Sequence, residues 1–389
     1  MPEGRSVFSQ LMDYFPYRSF QQCVAKYNGD WRIRSFRCWE QLLALAFAQL
    51  TFQESLRDIE TALRSLQSLR YHMGFRSSIA RSTLADANES RDWRIYQEFA
   101  MQLIAHAQRL YRSEPSIAEL EDTVYAFDST MVDLCLSLFP WAQYQPTAAA
   151  VKMHTLLDLR GCIPSFILIT DGTMHDVRAL DQLPIEPGAY YLMDRGYLDF
   201  ARLYRFTERA AYFVVRAKKT LRYLRCCSRR IDATTGLRAD QTIRLRYAES
   251  VRRYPAPLRR VTFYNPNNGQ RVVLLTNQFT VPATTIVELY RSRWQIETFF
   301  RWIKQNLRIK AFYGTSANAV KTQIWIALAV YTVLTIVKKE RKLNQTMHEL
   351  TTIINLNITT KITLERICGE KPKLLSSDTT IKQLELLNF

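Results

Sequence analysis

No two cysteines in this 389-residue chain are spaced C-x-x-C, and its five histidines form no H-E-x-x-H. The seven cysteines, Cys23, Cys38, Cys135, Cys162, Cys226, Cys227 and Cys368, indicate neither a zinc site nor a disulfide framework. The opening stretch MPEGRSVFSQLMDYFP lacks the uninterrupted apolar core of a signal peptide, so a cytoplasmic location is expected. The apolar run IWIALAVYTVLTIV, Ile324 to Val337, has 14 residues, short of the roughly 20 needed to cross a bilayer. It reads as a buried core helix with no membrane partner, and the following KKERK suits a helix C-terminus, where the dipole favours cations. Acidic residues are outnumbered, 36 against 53 Lys and Arg, for a net charge of +17. That imbalance calls for a polyanionic partner, nucleic acid before membrane.

What is present is a chain able to bury a sizeable core, 47% hydrophobic and long enough for two or three domains. Up to about residue 115 the pattern is helical, as in SFRCWEQLLALAFAQL and ESLRDIETALRSL. Thr83 and Asp86 stand at capping-box spacing, as if opening another helix. This arginine-dotted region could dock on DNA, or serve dimerisation or packing.

From Asp122 the texture changes. TVYAFDST alternates toward Asp128, and AAVKMHTLLDL and CIPSFILITDG read as an antiparallel hairpin turning at Arg160-Gly161. A short helix at MHDVRALDQL precedes the strand of AYYLMDRGY, which ends at Asp194. A right-handed crossover would lay that strand beside the first and make Asp128 and Asp194 neighbours. Gly196 is expected to make the following turn with a positive φ. Residues 212–282 then read as a basic β-rich insertion: between Tyr212 and Thr262 there are 14 Lys and Arg against three acids, and strand alternation in TIRLRY offers arginines to a phosphate backbone.

One glutamate sits among cations and aromatics in YRSRWQIETFFRWIKQ, Tyr290 to Gln305. At about 100° per residue, Tyr290, Arg293 and Lys304 fall within about 40° of Glu297, while Ile296, Phe299, Ile303 and Leu307 form a separate apolar side. The plain interpretation is a solvated stripe with Arg293–Glu297 and Glu297–Arg301 pairs, each worth about 0.2–0.5 kcal/mol. The alternative packs this helix on the sheet so that Asp128, Asp194 and Glu297 converge, a set of hard oxygen donors suited to Mg²⁺ and to displacement at phosphorus.

Tyr290, Arg293, Glu297 and Lys304 match Y-x2-R-x3-E-x6-K, and with YAFDST, YLMDRGY and the KMHTLLDLRGCIPSF hairpin the chain resembles the insertion-sequence-4 type of bacterial DDE transposase. The N-terminal FSQLMDYFP and SFRCWEQLLALAFAQL also resemble a helical domain found in one branch of that family. The resemblance implies an α+β or α/β fold: a ribonuclease-H-like core with a β-rich insertion, preceded by a helical N-terminal domain. The expected divisions are 1–115, helical and binding DNA ends; 116–211, the first part of the core; 212–282, the insertion; 283–345, core helices; and 346–389, a candidate for dimerisation.

The resemblance further implies that Asp128, Asp194 and Glu297 are catalytic metal ligands for two Mg²⁺ ions, replaceable by Mn²⁺. Tyr290, Arg293, Lys304 and Arg301 would contact DNA. The partners implied are double-stranded transposon ends and target DNA, with a homodimer in the synaptic complex. The implied function is a DNA transposase that cuts and pastes an insertion sequence. A metal-dependent nuclease without strand transfer and a non-catalytic DNA-binding derivative are the alternatives. Relatives can hold a flipped base on a tryptophan of the insertion. None occurs between Tyr212 and Pro282, which leaves Tyr223, Tyr247, Phe263 and Tyr264 as substitutes.

Overall fold

The computed structural model describes residues 4–115, 117, 120–265, 269–306 and 312–369. Six helices come first: α1 (Val7–Met12), α2 (Tyr17–Lys26), α3 (Cys38–Leu50), α4 (Leu56–Ser65), α5 (Arg81–Ser90) and α6 (Arg94–Tyr111). Polar residues set several of their starts. The Ser55 hydroxyl accepts from the amide of Asp58 at 3.2 Å at the head of α4, and Glu40 accepts from the Arg37 amide at 2.8 Å at the head of α3. Thr83 does not cap α5. The helix opens at Arg81, where the Ala80 carbonyl accepts from Leu84, so Thr83 and Asp86 lie inside it.

The strands are β1 (Val124–Leu134), β2 (Gln143–Gln145), β3 (Ala148–Asp158), β4 (Ile163–Asp171) and β5 (Tyr190–Met193), followed by α7 (Phe200–Glu208) and β6 (Tyr212–Arg216). β3 pairs antiparallel with β1 and β4, while β5 lies parallel to both β1 and β6. The order β4-β3-β1-β5-β6, with its two added parallel strands, is the ribonuclease-H-like arrangement. The β3–β4 turn uses Gly161 at φ +79, where an added Cβ would fall 2.4 Å from Cδ1 of Tyr111. Gly196, by contrast, has no positive φ and lies in a 3-10 turn, Arg195–Tyr197.

The sheet does not stop there. β7 (Tyr223–Ser228), β8 (Leu237–Leu245), α8 (Ala248–Arg253), β9 (Leu258–Asn265) and β10 (Gln270–Thr276) follow, and β10, β9, β8 and β7 continue from β6 in that order. Residues 212–282 therefore begin with a strand hydrogen-bonded in parallel to the core and extend the same ten-stranded sheet. Part of the NPNNG turn, 266–268, lies outside the described residues.

Helices α9 (Ala283–Ser292), α10 (Trp294–Asn306), α11 (Ala317–Glu340), α12 (Met347–Asn357) and α13 (Leu364–Gly369) complete the described residues. The apolar run expected to be a core helix lies in α11, whose most hydrophobic window is 94% buried. It packs against α3, α5 and α6, so the N-terminal helices share one core with this late helix. Lys338 and Lys339 lie in its last turn. The segment after α12 is tied back to the N-terminus: the amides of Val7 and Phe8 donate to the Thr360 and Ile358 carbonyls at 2.9 and 3.0 Å. Of the stretch considered for dimerisation, 370–389 lies outside the described residues.

Candidate active site

The parallel register of β1 and β5 pairs Phe127 with Met193. The next residue in each case is an aspartate, so Asp128, within β1, stands beside Asp194, which directly follows the end of β5. This is the juxtaposition expected from a right-handed crossover. Asp128 is held by the amide of Ser129 at 2.8 Å and more loosely by the Tyr197 hydroxyl at 3.4 Å.

The third acid arrives on α10. The α9–α10 junction falls at Arg293, whose φ of −50° and ψ of −29° stay helical. The faces expected of one continuous helix therefore survive the junction. Ile296, Phe299 and Ile303 are buried, while Leu307 lies outside the described residues. On the other face Arg293 donates through Nη1 to Asp128 Oδ2 at 3.2 Å and through Nη2 to Glu297 Oε1 at 2.8 Å. Tyr290 donates to Asp194 Oδ1 at 3.3 Å.

The stripe is thus not a solvated one. The Arg293 side chain is 13% exposed and reaches from its helix to the sheet. Tyr290, Arg293, Glu297, Asp128 and Asp194 form one cluster. Lys304 is partly buried on the same helix, and Arg301 is exposed.

Burial dominates the electrostatics of Asp128 and pushes its carboxyl up to about 6. The Ser129 amide and the Arg293 guanidinium pull it down, while the negative charges of Asp194 and Glu297 push it further up. Asp128 therefore feels both neighbouring acids, and Arg293 does not offset its burial. Among the described residues, no three Asp, Glu, His or Cys side chains stand together at metal-ligand spacing. Asp128 and Glu297 nonetheless already share a single cation, the guanidinium, and the donors are all oxygens. Such a set fits hard divalent ions such as Mg²⁺ or Mn²⁺.

Behind Asp128 lies a polar support in which the parts of Ser129 and Lys152 were not read from the sequence. Ser129 Oγ donates to Asp176 Oδ1 at 2.8 Å, and Lys152, itself buried, lies 3.1 Å from the same oxygen. Fully buried His154 meets Thr170 Oγ1 at 3.2 Å, a structural role. Tyr197 sits inside the YLMDRGY motif and Ser129 directly follows Asp128. Nearness to the aspartates was the one available signal for either residue. Of the aromatics considered for holding a base, Phe263 is buried and Tyr223 is covered by Arg260, whereas Tyr247 and Tyr264 are exposed.

Residues 119–333 match the family described as Transposase DDE domain, and residues 3–76 match a domain of unknown function (DUF4372). The Sinorhizobium fredii protein named "Putative transposase y4zB" is 32% identical over 275 residues, covering 70% of this chain and 75% of its own. "Probable transposase for insertion sequence element IS5377" of Geobacillus stearothermophilus is 32% identical over 211 residues, 53% of this chain and 54% of its own. "Putative transposase for insertion sequence element IS4SA" of Synechocystis is 24% identical over 300 residues, 74% of this chain and 81% of its own. The solved "piggyBac transposase synaptic complex with hairpin DNA" overlaps 94% of this chain and 82% of its own, with 12% identity and a TM-score of 0.46. The DDE match takes in more than half of the chain, including Asp128, Asp194 and the helix of Glu297. DDE domains generally use divalent metal ions, and their transposases cleave and transfer DNA. The chain belongs to this family and is a DNA transposase of the insertion-sequence-4 type.

Proposed function

We propose that the protein moves an insertion sequence by cut-and-paste transposition, with Asp128, Asp194 and Glu297 as the ligands of two Mg²⁺ ions, for which Mn²⁺ substitutes. The observation that carries this reading is the Arg293 bridge between Asp128 and Glu297, which draws a helix carboxylate to Asp128 on the sheet. Two bound divalent ions would activate the attacking oxygen and stabilise the leaving one.

The chain's own side chains position the reactants. The Ser129 amide and Tyr197 orient Asp128, and the Tyr290 hydroxyl orients Asp194. Arg293, Lys304 and Arg301 contact phosphates of the transposon end, Arg301 as a bidentate donor and lysine as a point charge. In the first reaction water attacks the phosphodiester at the transposon end and frees a 3′-hydroxyl. In the second that hydroxyl attacks a target phosphodiester, forming one P–O bond as another breaks. Two copies of the chain hold the two ends during synapsis.

The test supplies labelled transposon-end DNA, a circular target and Mg²⁺. Joining of the labelled 3′-end to the circle is the expected result. Cleavage without joining would make the protein a nuclease, and binding without either would make it a non-catalytic relative. Native mass with and without end DNA tests the dimer.

A further inference from the structure

Arg259 and Arg260 are adjacent on β9 and point to opposite faces of the sheet. Arg259 is fully compensated: its Nε and Nη2 donate to Asp240 at 2.9 and 2.8 Å, and its Nη1 to the Val281 carbonyl at 2.6 Å. Arg260 is 8% exposed yet meets no carboxylate among the described residues. Its Nη1 donates to the neutral Gln241 side chain at 3.0 Å, and its guanidinium lies 5.0 Å from the centre of the Tyr223 ring. A second cation, Arg271, bears on it as well. A buried guanidinium without an anion is costly, so its surroundings should show where one enters.

They do. Arg260 lines a cavity of about 160 Å³ together with Arg195, Arg216, Lys218, Lys219 and Arg271, and no acidic residue lines it. Cavities for drug-sized ligands run to about 300–1,000 Å³, so this one suits a phosphate group better than a nucleoside. Tyr223 gives one ring face to Arg260 and is not free there to stack a base. The cavity begins beside the proposed catalytic residues. Arg195 directly follows Asp194, and the Arg216 charge is felt by Tyr290, whose hydroxyl touches Asp194.

We propose that this cavity on the extended sheet is a dedicated phosphate pocket that grips one backbone phosphate of the transposon-end DNA beside the cleavage site, with Arg260 at its floor and Arg271 and Lys219 at its rim. The proposal rests on the transposase reading and assigns one phosphate to particular residues. The buried guanidinium is pre-ordered by Gln241 and Tyr223, so it loses little freedom on binding, and the rim cations add electrostatic attraction. The pocket recognises a phosphate, not a base sequence, and so fixes register along the strand.

The test measures binding of full-length protein, without divalent metal, to a fluorescent duplex carrying the terminal inverted repeat of its own element. One uncharged methylphosphonate linkage is placed at successive positions. The expected result is a position near the cleaved end where neutralisation weakens wild-type binding about tenfold, the scale of one charge-assisted contact. In Arg271→Ala and Arg260→Gln that position should lose its effect while penalties elsewhere persist. Arg271 is exposed, so its variant keeps the test valid if Arg260→Gln fails to fold. Comparing 5′-phosphorylated with 5′-hydroxyl duplexes separates sources: a penalty confined to a terminal phosphate would replace the internal phosphate as occupant and overturn the proposal as stated. Unchanged penalties at every linkage in both variants would also overturn it, leaving transposition intact if strand joining continues. Wild-type protein that neither binds nor joins the ends would overturn both readings.

Discussion

Arg293 lies 165 positions from Asp128 in sequence, yet its Nη1 is 3.2 Å from an Asp128 carboxylate oxygen. The contact ties the orientation of α10 to the middle of β1. Replacing Asp128 or Asp194 with Asn, or Glu297 with Gln, keeps shape while removing the charge a metal needs. Each should lower Mg²⁺-dependent end cleavage on the order of 10³-fold, equivalent to several kcal/mol of transition-state stabilisation. DNA affinity should remain close to wild type because the basic surface supplies it. Cleavage gels and binding titrations check both halves, and a variant cutting at the wild-type rate would remove that residue from the set. Calcium should support binding with little cleavage.

Arg293→Ala and Lys304→Ala should each weaken end-DNA complexes and flatten the plot of log affinity against log salt by about one unit of slope. Binding isotherms across a salt series give that slope. Unchanged slopes in both would remove these two cations from the set that contacts DNA.

Asp158, at the end of β3, accepts from the Arg160 amide at 2.9 Å but is buried, and burial pushes its carboxyl up to about 6. Its folded value lies above the unfolded one, so the folded state holds the extra proton. Its contribution to stability therefore falls as pH rises from about 4 through about 6, reaching a penalty of roughly 3 kcal/mol by neutrality. Asp158→Asn should raise the melting temperature at pH 7.5, with the advantage shrinking toward pH 4. A pH-independent difference would show that ionisation is not the cause.

Asp240 anchors Arg259 with side-chain exposures of 5% and 2%, and Arg229 adds a contact at 3.3 Å. Asp240→Ala strands a buried guanidinium and should cost about 3–5 kcal/mol. Urea denaturation would register this as a lower midpoint, and a change below about 1 kcal/mol would mean that water or another group takes over.

The arginines of the β-rich stretch mark where sequence reading stops. Counting charge treats Arg259 and Arg260 alike, although one is an internal ion pair and the other lines a cavity. The distinction depends on strand register and on Asp240, which lies on a different strand. The strands β1, β3, β4 and β5 were legible because each alternates or runs apolar, and the crossover rule then brought Asp128 beside Asp194. The helix wheel likewise separated Ile296, Phe299 and Ile303 from Glu297. β7 escaped because its side chains are almost all exposed, leaving no apolar alternation to read. The Arg293–Asp128 contact is a product of docking helix on sheet, which no local pattern encodes.

The placement of α11 beneath the N-terminal helices also affects the order in which the chain can mature on the ribosome. Tyr111 ends α6, but the surface that α6 must cover starts only at Ala317. At about 5–20 residues per second, that partner is synthesised roughly 10–40 s later. Until then the apolar sides of the first helices lack their native neighbour and are exposed to chaperones. The core shared by the first helices is therefore completed late, once Ala317–Glu340 has been made.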